Sequence, residues 1–566
     1  MNWKGSFGDL IRIVRAGTRR DGGGCRQTFA SGGKMKYGKC ARATVIWLSC
    51  ALACVGSAAA QKSGGVWKIF FFDSPASMSI HEEATIASQG PMMGVFNNLV
   101  LFDQAIAQTG LNTIVPDLAS EWSWNTDNTA LTFKLRQGVR FHDGKPFLAR
   151  DVKCTWDLLL GRAPEKLRIN PRKAWYNNLD EVIPNGDHEV TFKLKRPQPA
   201  FIALLASGFS PVYPCHVPPA QMRQQPIGTG PFKFAEFRRN ELIKVVRNLD
   251  YWKPGRPYLD GIEWIIIKNP STGMLSFLAG NVDMTSPFFF QVPMLRNTQS
   301  QAPNATCALV PTNVQRNVML NRSVAPFSNP DLRLAVALTL DRRAFIDTLT
   351  QGKGDIGAVM LAPPEGVWGM PPELVQQLPG YDPDVAKNRT EARKLMEKHG
   401  YGPSKQLSLK VSTRDIPPYR DPAVLLIDQL KEIYIDAELE PIETTGWTPK
   451  MTRKDYTIAL NLTGNGIDDP DQTLYENYAC GSESNYDGYC NPEINKLFDA
   501  QSMEADQTKR KRMVWDIERR LAQDVARPVL FHGRSGTCWH PHVRGYTPTV
   551  NSIYNGSRME DVWLDK

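Results

Sequence analysis

Leu131-Thr132-Phe133-Lys134-Leu135, the turn His142-Asp143-Gly144-Lys145, and a helical pattern from Ala149 to about Leu160 form the stretch that decides the fold. Alternation of apolar and polar residues puts one face of the first segment in a core, because successive strand side chains point to opposite sides. Asp143-Gly144 supplies turn chemistry, since glycine accepts positive φ. Glu189-Val190-Thr191-Phe192-Lys193-Leu194 repeats the alternation and predicts a further strand of the same sub-domain.

Working outward, strands and helices continue to alternate, which indicates an α/β architecture. Val66 to Phe72 reads as a buried first strand, and Met93 to Phe102 as a helix running into a loop. Gly228-Thr229-Gly230-Pro231 makes a tight entry to the strand Phe232-Lys233-Phe234, with Leu242 to Val246 as its partner. Two glycines permit a sharp bend there and Pro231 then restrains φ. Ser328-Asn329-Pro330-Asp331 is a strong helix start, and Leu332, Val336, Leu340 and Ile346 predict one long helix after it. A second helix spans about Val385 to His399, with Gly400 as its left-handed stop. Strands at Leu407 to Val411, Ala437 to Ile442 and Thr457 to Leu462, with helices from Pro422 to about Ile433 and Thr508 to Leu521, make a second α/β unit. Pro528-Val529-Leu530-Phe531 leads back toward the first unit.

Several stretches resemble the large peptide/nickel-type (family 5) solute-binding proteins of ABC importers. They are Pro116-Asp117-Leu118-Ala119-Ser120-Glu121-Trp122, Leu135-Arg136 with Val139-Arg140-Phe141-His142-Asp143-Gly144, and Ala149-Arg150-Asp151-Val152. Gly228 to Phe232, Arg247-Asn248, Tyr251-Trp252, Leu278-Ala279-Gly280-Asn281-Val282-Asp283, Tyr381-Asp382-Pro383 and Asp469-Pro470-Asp471 follow in the family's order. The resemblance implies a two-lobed clamshell with an extra sub-domain on the first lobe. Lobe I takes 61–103, 225–316 and 533–566, the inserted sub-domain 104–224, and lobe II 317–532. Hinge crossovers fall near Arg316 and His532. It also implies a binding role rather than catalysis, with no cofactor, an oligopeptide or peptide-like solute as ligand, a membrane permease as partner, and a monomeric state. A glycan, an opine-like conjugate or a chelated metal are the other solutes considered, and a secreted metal-dependent hydrolase is the reading from a different class.

The formal charge of +9 is misleading about partners. Residues 1–60 hold ten Lys/Arg against two Asp/Glu, leaving 57 against 56 in the remainder. No polyanionic partner such as nucleic acid is indicated. The early segment carries a cationic stretch from Met35, an apolar run from Ala43 to Gly56, and Ser57-Ala58-Ala59-Ala60, the pattern of a secretory signal. We expect translation from Met35, cleavage after Ala60, a periplasmic location and no later membrane span. Six cysteines follow the leader, in a compartment that permits disulfides. Cys480 and Cys490 are the expected pair, around a Ser-, Asn-, Asp- and Gly-rich loop. Cys154, Cys215, Cys307 and Cys538 cannot be paired from sequence.

For the site, the resemblance directs attention to Thr463 through Asp471, where relatives carry a tryptophan and an aspartate that neutralises a ligand amine. Asn465 stands where that aspartate lies. Asp468 and Asp469 have two readings, partners for a cationic group or caps of the following helix. Arg414 resembles in position an arginine that pairs a ligand carboxylate, a task suited to a bidentate guanidinium, and Tyr419 is close by. Ser77, Met78 and His81 follow the first strand, where relatives approach their ligand. Cys538-x-His540-x-His542 has metal-ligand chemistry, but Pro541 and the lack of a fourth ligand favour an ordinary loop, so no metal is expected. No nucleophile with its base, zinc-hydrolase His pair or serine elbow is present.

Overall fold

The computed structural model describes residues 61–286 and 291–566. The expected start at Met35 and cleavage after Ala60 lie outside the described residues. Residues 61–566 form one compact unit.

The first strand, Val66–Phe71, runs parallel to Gly261–Ile266, and Leu242–Arg247 and Phe232–Arg238 extend this sheet antiparallel to four strands. The deciding stretch forms a separate four-stranded antiparallel sheet, in the order Ala119–Trp124, Ala130–Leu135, Glu189–Leu194, Leu179–Pro184. The helix Ala149–Leu159 belongs to this part of the chain, with Val152, Trp156 and Leu159 buried in the same core as Phe133 and Phe192. Gly144 adopts φ 85°, as the turn requires.

A six-stranded mixed sheet holds the rest, in the order Gly354–Asp355, Val529–Trp539, Thr306–Leu320, Ile458–Gly464, Leu407–Arg414, Ile435–Ile442. Its two longest members, Thr306–Leu320 and Val529–Trp539, run antiparallel with Gln315 opposite His532 and Arg316 opposite Phe531. Their register shifts between Pro311 and Val314, where Asn313 has φ 52°. Met284 bridges both Ile69 and Trp539, linking the first strand to the end of this ladder.

Three local expectations change. The helix expected from Met93 lies earlier, at Ile86–Met92, and Val100–Phe102 is a strand paired with Ile114–Pro116. Asn97 and Asn98 explain the break, because their side chains bind Asp117, Leu205 and Ser207 rather than face solvent on a helix. The single long helix after Asn329 is two, Pro330–Thr339 and Arg342–Thr350. Asp341 starts the second by accepting a hydrogen bond from Ala344 N at 2.9 Å. The helix expected from Pro422 begins at Pro417 and runs through Pro422 to Lys431.

Gly228 and Gly230 serve close approach rather than a bend. A Cβ at Gly228 would lie 2.1 Å from the Val95 carbonyl oxygen, and one at Gly230 2.5 Å from that of Gly94. Cys480 and Cys490 are joined as expected, and the other four cysteines pair as Cys154–Cys215 and Cys307–Cys538. Among the described residues no helix is long and apolar enough to cross a membrane.

Candidate functional site

A cavity of about 150 Å³, open to solvent, is walled by strands of the six-stranded sheet and by the segment that follows the first strand. Phe72, just past the first strand, and Thr85 and Ile86, at a helix start, line one side. Val314 and Arg316 come from one long strand, two residues apart and so on one face, and Arg534 and Ser535 from the other. Facing them are Arg414, Tyr419, Trp447 and the strand segment Asn461 to Gly464.

Ser484 and Tyr486 close a further side. Both sit inside the loop that Cys480–Cys490 staples, so the disulfide holds part of the cavity wall. Closing so short a loop is worth on the order of 2–3 kcal/mol in the unfolded-chain model. The loop is also fixed from within. Asn485 Nδ2 donates to Ala479 O and Tyr489 O, and Asp487 pairs with Arg527 at 2.9 Å with both side chains buried.

Arg414 ends its strand at the cavity wall, and its charge is already answered. Nη2 donates to Asp73 Oδ2 at 2.6 Å, and Thr444 Oγ1 donates to the same oxygen at 2.7 Å. Arg414 Nη1 reaches Tyr419 OH at 3.1 Å, with the guanidinium above the Tyr419 ring.

Asn465, Asp468 and Asp469 do not line the cavity. Asn465 is fully buried, donating from Nδ2 to Asn313 Oδ1 and accepting from Thr473 Oγ1. Asp469 caps the helix Pro470–Asn477 by accepting from Asp471 N, and receives two hydrogen bonds from Arg510 at 2.7 and 2.8 Å. Asp468 Oδ2 has a 3.4 Å contact from Asn551 Nδ2, and the Val367 backbone also lies against its carboxylate.

Burial, with the neighbouring Asp469 charge adding to it, pushes Asp468 up to about 6. Its folded-state pKa lies above the unfolded one, so its contribution is greatest below about pH 4 and is lost as pH rises through 6. Asp468→Asn is therefore expected to match the parent near pH 4 and to exceed it by about 1–2 kcal/mol at pH 8. Thermal melts at the two pH values check this, and a variant less stable than the parent at pH 8 would refute it.

Ser77, Met78 and His81 also stand apart from the cavity. Ser77 Oγ donates to Glu83 Oε1 at 3.0 Å, and Met78 is buried in the apolar core. His81 is fully buried beside Arg172, and burial first, then that charge, lowers it to about 3, so it is neutral and donates from Nε2 to Pro211 O.

Of the expected site residues, Arg414 and Tyr419 are thus brought together at the cavity. Sequence reasoning missed Arg316 as a wall residue, along with Trp447, Glu476, Tyr486 and Tyr554. Arg316 was visible only as a crossover position, and Tyr486 only as part of the disulfide loop. Among the described residues no cluster is arranged to hold a metal ion. Cys538 is disulfide-bonded, while His540 and His542 contact Phe277 O and Asp283.

Residues 113–485 match the family described as bacterial extracellular solute-binding proteins, family 5 Middle. The oligopeptide-binding protein AppA of Bacillus subtilis is 27% identical over 457 residues, covering 77% of this chain and 81% of its own. The solved structure of OppA from Haemophilus influenzae in complex with RPPGFSPFR superposes with a TM-score of 0.79 at 21% identity, covering 89% of this chain and 99% of that one. AgaA from A. tumefaciens R10, in complex with agropinic acid, gives 0.76 at 21% identity over 89% and 99%. A cavity walled by two long paired strands, by their neighbours in the same sheet and by the segment after the first strand, within a fold shared along nearly the whole described length, agrees with the match of the chain's central two-thirds: the protein belongs to the family 5 extracellular solute-binding proteins, a family of binding proteins and not of enzymes.

Proposed function

We propose that this protein is the extracytoplasmic receptor of an ABC importer, holding an oligopeptide or peptide-like solute in the cavity and delivering it to the membrane permease. In this reading residues 61–103, 225–316 and 533–566 are one lobe, 104–224 its inserted sub-domain and 317–532 the other lobe. The strands Thr306–Leu320 and Val529–Trp539 are the hinge. The leader directs the chain to the periplasm, where it acts as a monomer.

The observation that carries the reading is that one cavity takes its walls from the segment after the first strand, from both long strands and from the strands Leu407–Arg414 and Ile458–Gly464 beyond them. A solute there touches every part that a hinge motion would move, and closure is stabilised by contacts made better in the closed state. AppA is an oligopeptide-binding protein, and the OppA structure holds the peptide RPPGFSPFR. AgaA with agropinic acid supports a second reading, a small opine-like conjugate on the same scaffold. Mass spectrometry of solute released from the protein after export in its own host separates the two. Peptides of a few residues are expected, and a single opine-like or sugar species would overturn the peptide reading.

A further inference from the structure

Among the described residues four charged side chains line the cavity: Arg316, Arg414, Arg534 and Glu476. Three are already answered within the protein. Arg414 is paired with Asp73, and Arg534 Nη2 lies 3.2 Å from Asp355 and 2.7 Å from Glu365. Glu476 Oε2 accepts from Trp175 Nε1 at 2.7 Å and Gln472 Nε2 at 3.1 Å, with the Arg172 charge nearby. Arg316 differs. No hydrogen bond or ion pair to it is found among the described residues, although it is partly buried.

Its position is nevertheless built. The guanidinium lies 4.9 Å from the centre of the Phe531 ring, directly across the strand pair. Its far end passes over Gly533, where a Cβ would stand 1.7 Å from Nη1. Only glycine leaves that path open. Desolvation lowers the Arg316 pKa to about 10, which leaves it a full cation at neutral pH with no paired anion among the described residues. His532, the adjacent titratable group on the partner strand, is held near 4 by burial and is neutral. A partly desolvated cation without a partner is costly unless something else supplies the charge. A planar guanidinium with free donors matches a carboxylate in two parallel hydrogen bonds.

We infer that Arg316 is the anchor for a carboxylate of the bound solute, so that the receptor selects anionic or zwitterionic molecules and Gly533 keeps the anchor's place open. Arg414, the arginine singled out by sequence position, is instead committed to the protein's own Asp73. The inference rests on the receptor reading, because it takes the cavity as the solute site. A peptide C-terminus and an opine carboxylate offer the same chemistry to Arg316.

The test incubates the exported protein with three pools: tri- and tetrapeptides with free C-termini, the same peptides as C-terminal amides, all made without Asp or Glu, and N-carboxyalkyl amino acids. Solute retained through gel filtration, including any carried from the cell, is identified by mass spectrometry and its Kd measured by calorimetry. Free-acid peptides or N-carboxyalkyl acids are expected to be retained and amides not, and which acid pool is retained tells the two sources apart. Arg316→Gln and Gly533→Ala are each expected to weaken the retained acid by about thirtyfold or more. The solute-free Tm of Arg316→Gln should equal or exceed the parent's, which a merely structural arginine would not allow. Retention of a solute without a carboxylate, or unchanged Kd in Arg316→Gln, overturns the assignment of Arg316 alone. Retention of nothing by the parent protein overturns the receptor reading and the inference with it.

Discussion

Replacing Asp117 by Ala is expected to destabilise the protein by about 3–5 kcal/mol, the range for removing one partner of a buried ion pair. Asp117 is fully buried and fastens three distant parts of the chain. Its Oδ2 accepts from Arg558 Nη1 at 2.8 Å and from Asn98 N at 3.0 Å, while Oδ1 accepts from Asn97 Nδ2 and lies 3.3 Å from Lys253 Nζ. Without the carboxylate, the Arg558 guanidinium stays buried and loses its counter-charge. Burial alone pushes the Asp117 carboxyl up, but Arg558, Lys253 and the hydrogen bonds outweigh it and bring the pKa to about 2. The folded value is depressed, so this stability is present above about pH 4 and is lost as pH falls through 2, to the extent of about 2–3 kcal/mol. Urea unfolding of the parent and of Asp117→Ala at pH 7 and at about pH 2 measures both effects. An unchanged midpoint in Asp117→Ala at pH 7 would show that the network contributes nothing net.

Asp73→Ala is expected to weaken solute binding by about tenfold to a hundredfold through the closed form rather than through a lost solute contact. Asp73 follows the first strand of the four-stranded sheet, whereas Arg414 ends a strand of the six-stranded one and Thr444 begins a neighbouring helix. Their hydrogen bonds tie the two sides of the cavity together in a pair that is about 4–5% exposed on each side chain. On the proposed hinge, opening parts them into water and closing rejoins them, so the pair biases the equilibrium toward closure. Apparent affinity scales with the population of the competent state. Loss of about 1.4–2.8 kcal/mol from the closed form therefore raises the apparent Kd by the stated factor. Calorimetric titration of the parent and of Asp73→Ala, Arg414→Ala and the double variant with the solute identified above reads this out. Two single losses that add fully in the double variant would show that the residues act independently and would remove the latch.

Much of the fold was legible because its signals are local. Alternation marked Leu131 to Leu135 and Glu189 to Leu194, and both are strands of one sheet. The Asn329-Pro330 start and the Gly400 stop were read correctly because capping depends on a few adjacent residues. The helix after Asn329 was read as too long because Leu332 to Ile346 keeps an apolar face across Leu340-Asp341, where the chain turns and caps again. The expected helix at Met93 failed for the opposite reason. Nothing local says that Asn97 and Asn98 will be claimed by Asp117 and by the carbonyls of Leu205 and Ser207.

By itself the sequence determined the α/β alternation, the family resemblance, the neutral balance beyond residue 60 and the Cys480–Cys490 staple, each set by neighbours along the chain or by an ordered series of short motifs. Only the tertiary structure decided which arginine faces the cavity unpaired. Arg414 finds its partner Asp73 from 341 positions away, whereas Arg316 finds none among the described residues. Whether a charge has a partner depends on every segment packed around it, a long-range property that no local pattern encodes.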